Sequence, residues 1–466
     1  MRLKALTIIF IILWCGIFLS QKIDLVTADI GRHITNGKIL VEAPLAAKLA
    51  LLHTNFYSYT MPDAPFVNHH WASGVIFYFI HKLFGFTGLS VFYVLGSLGA
   101  IFLFWNVARK LSSFYIASFF TIVLAPILVS RAEVRPEVFS LLLSGVFLNI
   151  LFFRKYIWAL PILMMLWVNL HIGFIFGFMI LGSFCLEDFK KFYKITIVSA
   201  ILALINPFGY KILLYPFLIF KDYGYRIVEN QSVRFLENIG FTAGEHFLLF
   251  KIIAGATLIS LGLLLYKCTK PPISILLPTL ATLSMAYLGI RHFPIFGLFA
   301  LVFLSYAYQL FFSKIGRDIV LGSSILIIVL LVSFGLKDIR NVGWGLAPDV
   351  LNARVFITSR DIKSPIFNNY DVGSYLIYSL YPSEKVFVDN RPEAYTKKFF
   401  EEIYVPAQED ESAWRKLDEQ YEFNTIIFSH RDYTPWGQKF LAERAEDKDW
   451  KAVFMDNYIV IFSKNK

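Results

Sequence analysis

The stretch from Asp24 to Trp71 decides how the rest of the chain is interpreted. It opens as DLVTADIGRHITNGKIL (residues 24–40) and closes as HTNFYSYTMPDAPFVNHHW (residues 53–71), after the first hydrophobic segment. Ionisable and aromatic residues accumulate in it: Asp29, Arg32, His33, His53, Asp63, His69, His70 and Trp71. Ionisable side chains beside a bilayer are costly unless they face water or a substrate. The stretch therefore predicts the catalytic or binding loop of a membrane protein.

Composition assigns the chain to the polytopic membrane proteins. Of its 466 residues, 57% are hydrophobic and the mean hydropathy is +0.59, whereas soluble domains contain about 45–50% apolar residues. Apolar runs long enough to cross a bilayer recur between Leu6 and Leu336. The net charge of +10 does not indicate nucleic-acid binding, because the basic residues before Leu336 lie mainly in short loops that set orientation. The three cysteines lie in or next to the apolar runs, so the tail holds no disulfide framework.

The bias of lysine and arginine among the loops predicts the orientation. Arg2 and Lys4 precede the first span and place the N-terminus in the cytoplasm, so residues 21–84 form a large first outer loop. Residues 72–84 are short for a span and predict a helix at the outer interface. The remaining apolar runs bring the total to about eleven transmembrane helices, the last at residues 318–336. All nine histidines then lie outside or at the outer interface, which predicts that the polar groups form one site.

The composition changes after Leu336. Alternating apolar residues predict strands at residues 386–389, 424–429, 451–456 and 458–462, and helical patterns fall at residues 372–380, 393–404, 411–420 and 435–446. Strands alternating with helices predict a small α/β domain. Residues 1–336 are thus expected to form an all-α polytopic membrane domain, and residues 337–466 an extracytoplasmic α/β domain. In VFVDNRPEAY (386–395), Asp389 and Arg391 form either a recognition edge beyond a strand or a salt bridge that fixes the loop.

Asp29 is the candidate catalytic residue. A carboxylate shortly after the first helix suits a general base toward an acceptor hydroxyl, or a ligand for a divalent metal ion. The alternative is a solvated loop aspartate or a helix cap. His33 shares a helical face with Asp29 if residues 28–37 are helical. His70 is either a ligand-contacting imidazole or a capping group, and the histidine and cysteine spacings of common metal sites are absent from the sequence.

Arginines at the outer ends of later segments are candidates for substrate binding. SRAEVRPE (130–137) carries Arg131 and Arg135, and arginine suits bidentate binding of a phosphate. The alternative is that both simply pair with the two glutamates of the same segment. Arg291 and His292 allow the same two interpretations. His171, at the turn of a short helix pair, is either a further polar contact or a structural imidazole.

In their order along the chain, these motifs resemble the GT-C superfamily of membrane glycosyltransferases. This group includes protein O-mannosyltransferases, oligosaccharyltransferase catalytic subunits and aminoarabinose transferases. The segments that carry the resemblance are TADIGRHITNG (27–37), NHHW (68–71), HHWASGVIFYFI (69–80), RPE (135–137), NLHIGF (169–174), NPFG (206–209), RHFPIF (291–296), NNYDVGSYLIY (368–378) and VFVDNRPEAY (386–395). They are most similar to a poorly characterised bacterial branch with an outer C-terminal domain. The D-D or D-x-D pairing common elsewhere in the superfamily is absent, and Asp29 stands alone.

The resemblance implies a polyprenyl-phosphate sugar donor, an acceptor that is a glycan, lipid or protein, and action at the outer face of a bacterial inner or plasma membrane. Asp29 would be the catalytic or metal-binding carboxylate, and Arg131, Arg135 and Arg291 would hold the lipid phosphate. His33, His70, His171 and His292 complete the expected substrate-binding set. A non-catalytic protein that binds lipid-linked glycan is a second hypothesis. A transporter or flippase is a third, disfavoured because the charged residues gather at one surface and not at mid-membrane.

Overall fold

The structure is a computed structural model that describes residues 2–219, 223–241, 244–311, 341–360, 362 and 364–465. Two compact units are formed from discontinuous segments. The first contains Met1–Gln21, Ser90–Leu213 and Arg226–Trp344, and the second contains Lys22–Leu89, Leu214–Tyr225 and Gly345–Lys466. Helices dominate the described residues before 312: α1 (Arg2–Leu19), α2 (Ile30–Glu42), α3 (Leu45–His53), α4 (Trp71–Leu111), α5 (Phe114–Leu128), α6 (Glu137–Phe153), α7 (Leu160–Leu170), α8 (Phe174–Glu187), α9 (Phe189–Leu202), α10 (Lys211–Leu218), α11 (Val233–Asn238), α12 (Gly244–Tyr266), α13 (Ile273–Leu288) and α14 (Phe293–Phe311).

The first unit is a bundle of apolar helices. At its centre α14 packs against α5, α12 and α13, and most of its side chains are buried. A helix that is hydrophobic on all sides belongs in the interior of a large bundle. A Cβ atom on Gly297 of α14 would lie 2.8 Å from a side-chain carbon of Ile127 in α5, so this glycine permits the close approach of the two helices.

Several helices satisfy the length and composition of a membrane span. Four segments are long and apolar enough to cross a membrane: Arg2–Leu19, Trp71–Leu111, His246–Tyr266 and Ile290–Phe311. Five shorter apolar helices also occur among the described residues: Phe114–Leu128, Glu137–Phe153, Ile157–Leu170, Phe174–Glu187 and Ile273–Leu288. The chain is therefore a membrane protein by these criteria, while the total of about eleven spans stays a prediction. The span expected at residues 318–336 lies outside the described residues.

The expected interfacial helix and the span that follows it form one element. Residues 72–84 and the next apolar run together make up α4, which is 41 residues long. Gly85 interrupts this helix with φ of 63°, a left-handed conformation that glycine adopts without steric cost. The break lies between the two elements that the sequence predicted separately.

The second unit joins Lys22–Leu89 to the C-terminal tail. Its loop part is organised around α2, which packs against the helix α16 (Gly373–Leu380) of the tail. The backbone N–H of Arg32 donates to Ser374 Oγ at 3.1 Å. A Cβ on Gly37 would lie 2.0 Å from the carbonyl oxygen of Gly74, so two glycines let α2 touch the start of α4. Gly37, the last residue of TADIGRHITNG (27–37), is thus explained by packing.

The tail contains a four-stranded mixed sheet in the order β1-β2-β4-β3. Its strands are β1 (Ile366–Asn368), β2 (Thr425–Ser429), β3 (Trp450–Met455) and β4 (Ile459–Lys464), and its longer helices are α15 (Asn352–Ser359), α16, α17 (Glu411–Tyr421) and α18 (Pro435–Glu446). β1 pairs with β2 in parallel, and β4 is antiparallel to both β2 and β3. The predicted mixture of helices and strands is confirmed here. The helix expected at 393–404 is divided into the short turns Pro392–Ala394, Lys397–Phe399 and Phe400–Tyr404.

The strand predicted at residues 386–389 is wrong, and β1 was not predicted. Val386 forms an isolated β-bridge with Ser58, and beyond Val386 the backbone of this segment bonds to side chains. The N–H of Phe387 donates to Asn368 Oδ1 at 2.9 Å, and Asn368 Nδ2 donates to the carbonyl oxygen of Val388 at 2.7 Å. A buried asparagine at the end of β1 therefore satisfies the backbone groups that strand pairing would otherwise use.

The sequence placed the loop 21–84 in the transmembrane domain. In the structure, Lys22–Leu89 belongs to the same compact unit as Gly345–Lys466. The domain division at residue 336 lies outside the described residues and stays a prediction.

Candidate active site

Asp29 occupies the N-cap position of α2 without capping it. Its side chain makes no capping hydrogen bond, although aspartate is among the preferred capping residues. Instead, Asn390 Nδ2 donates to Asp29 Oδ1, and Arg32 Nη2 lies 3.7 Å from the same oxygen. Oδ2 accepts no hydrogen bond from the described residues, and the side chain is 25% exposed. A carboxylate oriented from both sides, with one oxygen open, suits a general base.

The turn that carries Asn390 is held by a buried ion pair. Arg391 donates from Nε to Asp389 Oδ1 at 2.7 Å and from Nη2 to Asp389 Oδ2 at 2.6 Å. The side chains are 2% and 0% exposed, and Arg391 Nη2 also donates to Asn55 Oδ1 at 2.8 Å. Bidentate pairing of this kind fixes geometry. The pair therefore corresponds to the loop-fixing alternative, and the residue between its partners reaches Asp29.

Two further ionisable groups of the tail, Tyr370 and Glu393, interact electrostatically with Asp29 and Arg32 respectively. Burial raises the pKa of Tyr370, and Tyr223, Glu393 and Asp29 raise it further. Burial also raises the pKa of Glu393, while the guanidinium groups of Arg32 and Arg391 oppose this shift. Arg32 therefore interacts with both carboxyl groups. We call Asp29, Arg32, Tyr370, Asn390 and Glu393 the Asp29 cluster.

His33 and His70, both predicted to bind substrate, lie in the second unit close to each other. The N–H of His33 donates to the carbonyl oxygen of Asp29 at 3.1 Å, the spacing of the expected shared helical face. Its ring contacts the ring of His70 edge-on at a centroid distance of 5.4 Å. His69 lies 3.9 Å from His70 and 5.1 Å from Tyr215. The rings of His33, His69 and His70 thus pack in one group. Substrate binding by His33 and His70 stays a prediction.

The donor set around Asp29 does not fit a divalent metal ion. Magnesium and calcium ions prefer several oxygen ligands, but Asp29 Oδ1 faces an amide N–H and a guanidinium. Across the described part of the chain, no group of three or more His, Cys, Asp or Glu residues could hold a metal. A cation at Asp29 would be repelled by Arg32, so we assign no step to a metal.

The arginines predicted to bind phosphate meet in the first unit. Arg131 Nη2 lies 2.5 Å and Arg135 Nη1 2.9 Å from Glu229 Oε2. Glu137 Oε1 joins Arg131 at 3.3 Å and Arg291 at 3.1 Å. Arg135 also pairs with Glu133 at 2.6 Å. We call these three arginines and three glutamates the arginine cluster.

The expected pairing with Glu133 and Glu137 is present in the arginine cluster, but Glu229 joins it from a different segment. Glu229 lies in a short turn, Val228–Asn230, and the Oδ1 of Asn230 accepts from Arg291 Nη1 at 2.9 Å. Burial opposes ionisation of Glu229, but Arg135 and Arg131 outweigh it and lower its pKa. Since Glu137 and Glu229 already contact the guanidinium groups of the arginine cluster, a phosphate bound there would compete with a carboxylate.

His171 is fixed in one tautomer by its neighbours. Its Nδ1 receives the backbone N–H of Gly173 at 3.1 Å and lies 2.6 Å from Ser140 Oγ. The indole N–H of Trp167 donates to the same Oγ at 2.8 Å, so the Ser140 hydroxyl donates to Nδ1. The remaining proton of neutral His171 is therefore on Nε2. His292 is half-buried, and its Nδ1 has no hydrogen-bond partner among the described residues.

The predicted site residues thus fall into both units. Arg131, Arg135 and Arg291 are brought together by shared glutamates, whereas Asp29, His33 and His70 belong to the second unit. Convergence of all of them on one cavity stays a prediction. Sequence reasoning assigned no role to Glu229, Asn390, Tyr370 or Glu393. The one signal for Asn390 was its place in VFVDNRPEAY, where the sequence analysis considered only the flanking Asp389 and Arg391.

Comparison with known proteins identifies the fold. The sequence matches no protein-family model and no curated protein. The oligosaccharyltransferase of Archaeoglobus fulgidus tethered with an acceptor peptide aligns with a TM-score of 0.61 at 12% identity, over 99% of this chain and 74% of that one. The same organism's oligosaccharyltransferase AglB, in complex with an inhibitory peptide and a dolichol-phosphate, gives 0.59 at 11% identity, over 91% and 69%. ArnT from Cupriavidus metallidurans in the apo state gives 0.54 at 11% identity, over 98% and 97%.

Proposed function

We propose that this chain, which has the fold of the GT-C membrane glycosyltransferases, transfers a sugar from a polyprenyl-phosphate-linked donor to an acceptor at the outer face of the membrane. The observation that carries the proposal is the Asp29 carboxylate. It stands at a helix start but caps nothing, it is oriented by Arg32 and Asn390, and Oδ2 takes no hydrogen bond from the described residues. A purely structural aspartate at this position would be expected to bond to the helix N-terminus.

The reaction assigns a role to each part. The acceptor oxygen attacks the anomeric carbon, the bond from that carbon to the phosphate oxygen breaks, and polyprenyl phosphate leaves with the electron pair. Asp29 takes the proton of the acceptor hydroxyl, which typically contributes about 10²–10⁴-fold in rate. Arg131, Arg135 and Arg291 hold the charge of the phosphate, as preorganised cations do for developing charge.

The donor class rests on the structural neighbours. One AglB structure contains a dolichol-phosphate, and another structure of ArnT from Cupriavidus metallidurans is bound to undecaprenyl phosphate. At about 11–12% identity these neighbours support the kind of reaction by analogy of fold alone. The donor sugar and the acceptor of this chain are therefore parts of the proposal.

The orientation also belongs to the proposal. About eleven spans, a cytoplasmic N-terminus and an extracytoplasmic C-terminal domain follow from the lysine and arginine bias of the loops. This orientation puts Asp29 on the outer side of a bacterial inner or plasma membrane.

The test replaces Asp29 by asparagine. Asp29→Asn keeps an oxygen that can accept from Asn390 but removes the base, so transfer from a panel of labelled polyprenyl-phosphate sugars should fall by about 10²–10⁴-fold, with unchanged expression and thermal melting. The matched control is Asp24→Asn. Asp24 accepts from Val26 N–H and pairs with Arg431 Nη1 at 2.9 Å, so this variant should lose stability more than turnover.

Two results would contradict the assignment. Full transfer by Asp29→Asn with loss in Asp24→Asn would mean that the wrong carboxylate was chosen. If neither variant alters a transfer that the unmodified chain performs, Asp29 is not the base. If the unmodified chain consumes no donor of the panel, a protein that binds lipid-linked glycan without catalysis becomes the better hypothesis.

A further inference from the structure

Three buried polar atoms of the Asp29 cluster have no hydrogen-bond partner in the part of the chain that the structure describes. They are Tyr370 Oη, Asn390 Oδ1 and Arg32 Nε, which make no hydrogen bond among the described residues. Tyr370 and Arg32 are each 5% exposed. Leaving such a group unpaired costs about 1–3 kcal/mol, so native proteins rarely keep one without a reason. Three of them around one half-exposed carboxylate indicate groups that a ligand satisfies.

The side chains of Tyr370 and Asn390 are held in place by their contacts. The ring of Tyr370 stacks on Tyr225 at a centroid distance of 4.3 Å, and its backbone N–H donates to Tyr404 Oη at 2.7 Å. A carboxylate accepts and does not donate. The amide nitrogen of Asn390 must therefore face Asp29, which leaves its oxygen turned away from that contact. Rigid partners of this kind reduce the entropy lost on binding.

The donor or acceptor character of these atoms indicates which kind of ligand fits. Tyr370 Oη and Arg32 Nε offer protons, whereas Asn390 Oδ1 and Asp29 Oδ2 require them. A ligand that satisfies all four atoms must therefore both donate and accept hydrogen bonds. A phosphate only accepts, and the carboxyl groups of Asp29 and Glu393 oppose its charge. A metal ion only accepts electron pairs and would meet the guanidinium of Arg32. Neighbouring hydroxyl groups of a sugar ring satisfy both requirements.

We propose that the Asp29 cluster binds an acceptor that is itself a carbohydrate, through two neighbouring hydroxyl groups, with Tyr370 and Asn390 as its specificity-determining residues. This inference rests on the proposed function, in which the hydroxyl beside Asp29 is the nucleophile. The adjacent hydroxyl accepts from Tyr370 and donates to Asn390.

The inference is tested by binding, independently of transfer. Methyl hexopyranosides with a free 2,3-diol, and their 2-deoxy and 3-deoxy analogues, are titrated into the detergent-solubilised full chain and followed by saturation-transfer NMR. We expect the diol glycosides to bind and each deoxy analogue to bind more weakly. Tyr370→Phe and Asn390→Ala should each raise Kd about five- to tenfold, the usual effect of losing one hydrogen bond.

The matched control is Tyr59→Phe. Tyr59 Oη donates to the carbonyl oxygen of Ile366 at 2.7 Å, so this hydroxyl already has a partner. Tyr59→Phe should lower the melting temperature and leave glycoside binding unchanged. Tyr370→Phe removes a hydroxyl without a partner, so it should melt at the same temperature as the unmodified chain or higher. A marked loss of stability in Tyr370→Phe would show that the hydroxyl has a structural role and would overturn the inference.

The remaining outcomes separate the two proposals. Absence of binding by every glycoside, equal binding of the deoxy analogues, or an unchanged Kd in Tyr370→Phe overturns the carbohydrate site. If the chain transfers sugar to a peptide or lipid but not to a glycoside, the acceptor class is wrong and the proposed function stands. If glycosides bind as expected while no donor is consumed, the transfer reaction is wrong and the carbohydrate site stands.

Discussion

Glu229 competes with any phosphate for the guanidinium groups of the arginine cluster. Its carboxylate lies 2.5 Å from Arg131 Nη2 and 2.9 Å from Arg135 Nη1, and the three side chains are between 13% and 22% exposed. Glu229→Gln removes the charge and keeps the shape. If the arginines bind the lipid phosphate, this variant should bind undecaprenyl phosphate more tightly, because one repelling charge and one competing acceptor are gone.

The expected gain follows from the Coulomb energy. A unit charge about 5 Å from the phosphate contributes about 3 kcal/mol at an effective dielectric constant of about 20. Screening at this half-buried position reduces that to about 1–3 kcal/mol, or about 5- to 100-fold in Kd. Losing the ion pairs should also lower the free energy of unfolding by about 1–3 kcal/mol, between the values for exposed and fully buried pairs.

The assay is the Kd for undecaprenyl phosphate of the purified chain in detergent, with thermal melting in parallel. The matched control is Glu237→Gln, since Glu237 pairs with Lys251 at 2.7 Å while both side chains are about half exposed, 41% and 52%. That variant should change neither lipid binding nor stability measurably. Glu229→Asp keeps the charge and should bind like the unmodified chain. An unchanged or weaker Kd in Glu229→Gln would refute phosphate binding at the face that Glu229 occupies.

Three further predictions concern the donor, the tail and the topology. Arg131→Lys keeps the charge but loses the bidentate fork, so donor KM should rise more than kcat falls in the transfer assay. Burial, and then Asp432, raise the pKa of Asp371 to about 7 from an ordinary value of 3.8. Because the native state keeps a proton that the unfolded state loses, stability should fall as the pH rises from about 4 to 7. In thermal melts, Asp371→Asn should therefore stabilise the chain by about 1–3 kcal/mol at pH 8, but much less at pH 4.5. Cysteines at Ser112 and Lys270 should be labelled by impermeant reagents only from the cytoplasm, and one at Ser383 only from outside; outside labelling at Lys270 would contradict the topology.

The sequence predicted what depends on local pattern. Apolar runs gave the membrane class, and alternation gave the strands at 424–429 and 458–462, which appear as β2 and β4. Helices expected at 411–420 and 435–446 are present as α17 and α18. The failure at 386–389 has a different cause. Its alternation is that of a strand, but beyond Val386 its backbone groups bond to side chains such as that of Asn368, and no local sequence pattern predicts these contacts.

The candidate site was only partly visible from the sequence for the same reason. Asp29 and Arg131 stood out because charge is conspicuous between apolar runs. Glu229 and Asn390 did not, because their roles depend on residues far away in the chain, such as Arg131 and Asp29. Sequence reasoning identifies which groups are chemically unusual, whereas pairing across long separations requires the fold.

The lone acid of the Asp29 motif is therefore better understood from its spatial partners than from its neighbours in sequence. A D-D or D-x-D pairing places two carboxylates side by side, which suits a divalent cation. Here the guanidinium of Arg32 lies 3.7 Å from Asp29 Oδ1. It also interacts electrostatically with Glu393, a buried carboxyl group of the tail. The proposed carbohydrate acceptor matches this cluster because a hydroxyl group can accept from the guanidinium of Arg32 and donate to the Asp29 carboxylate.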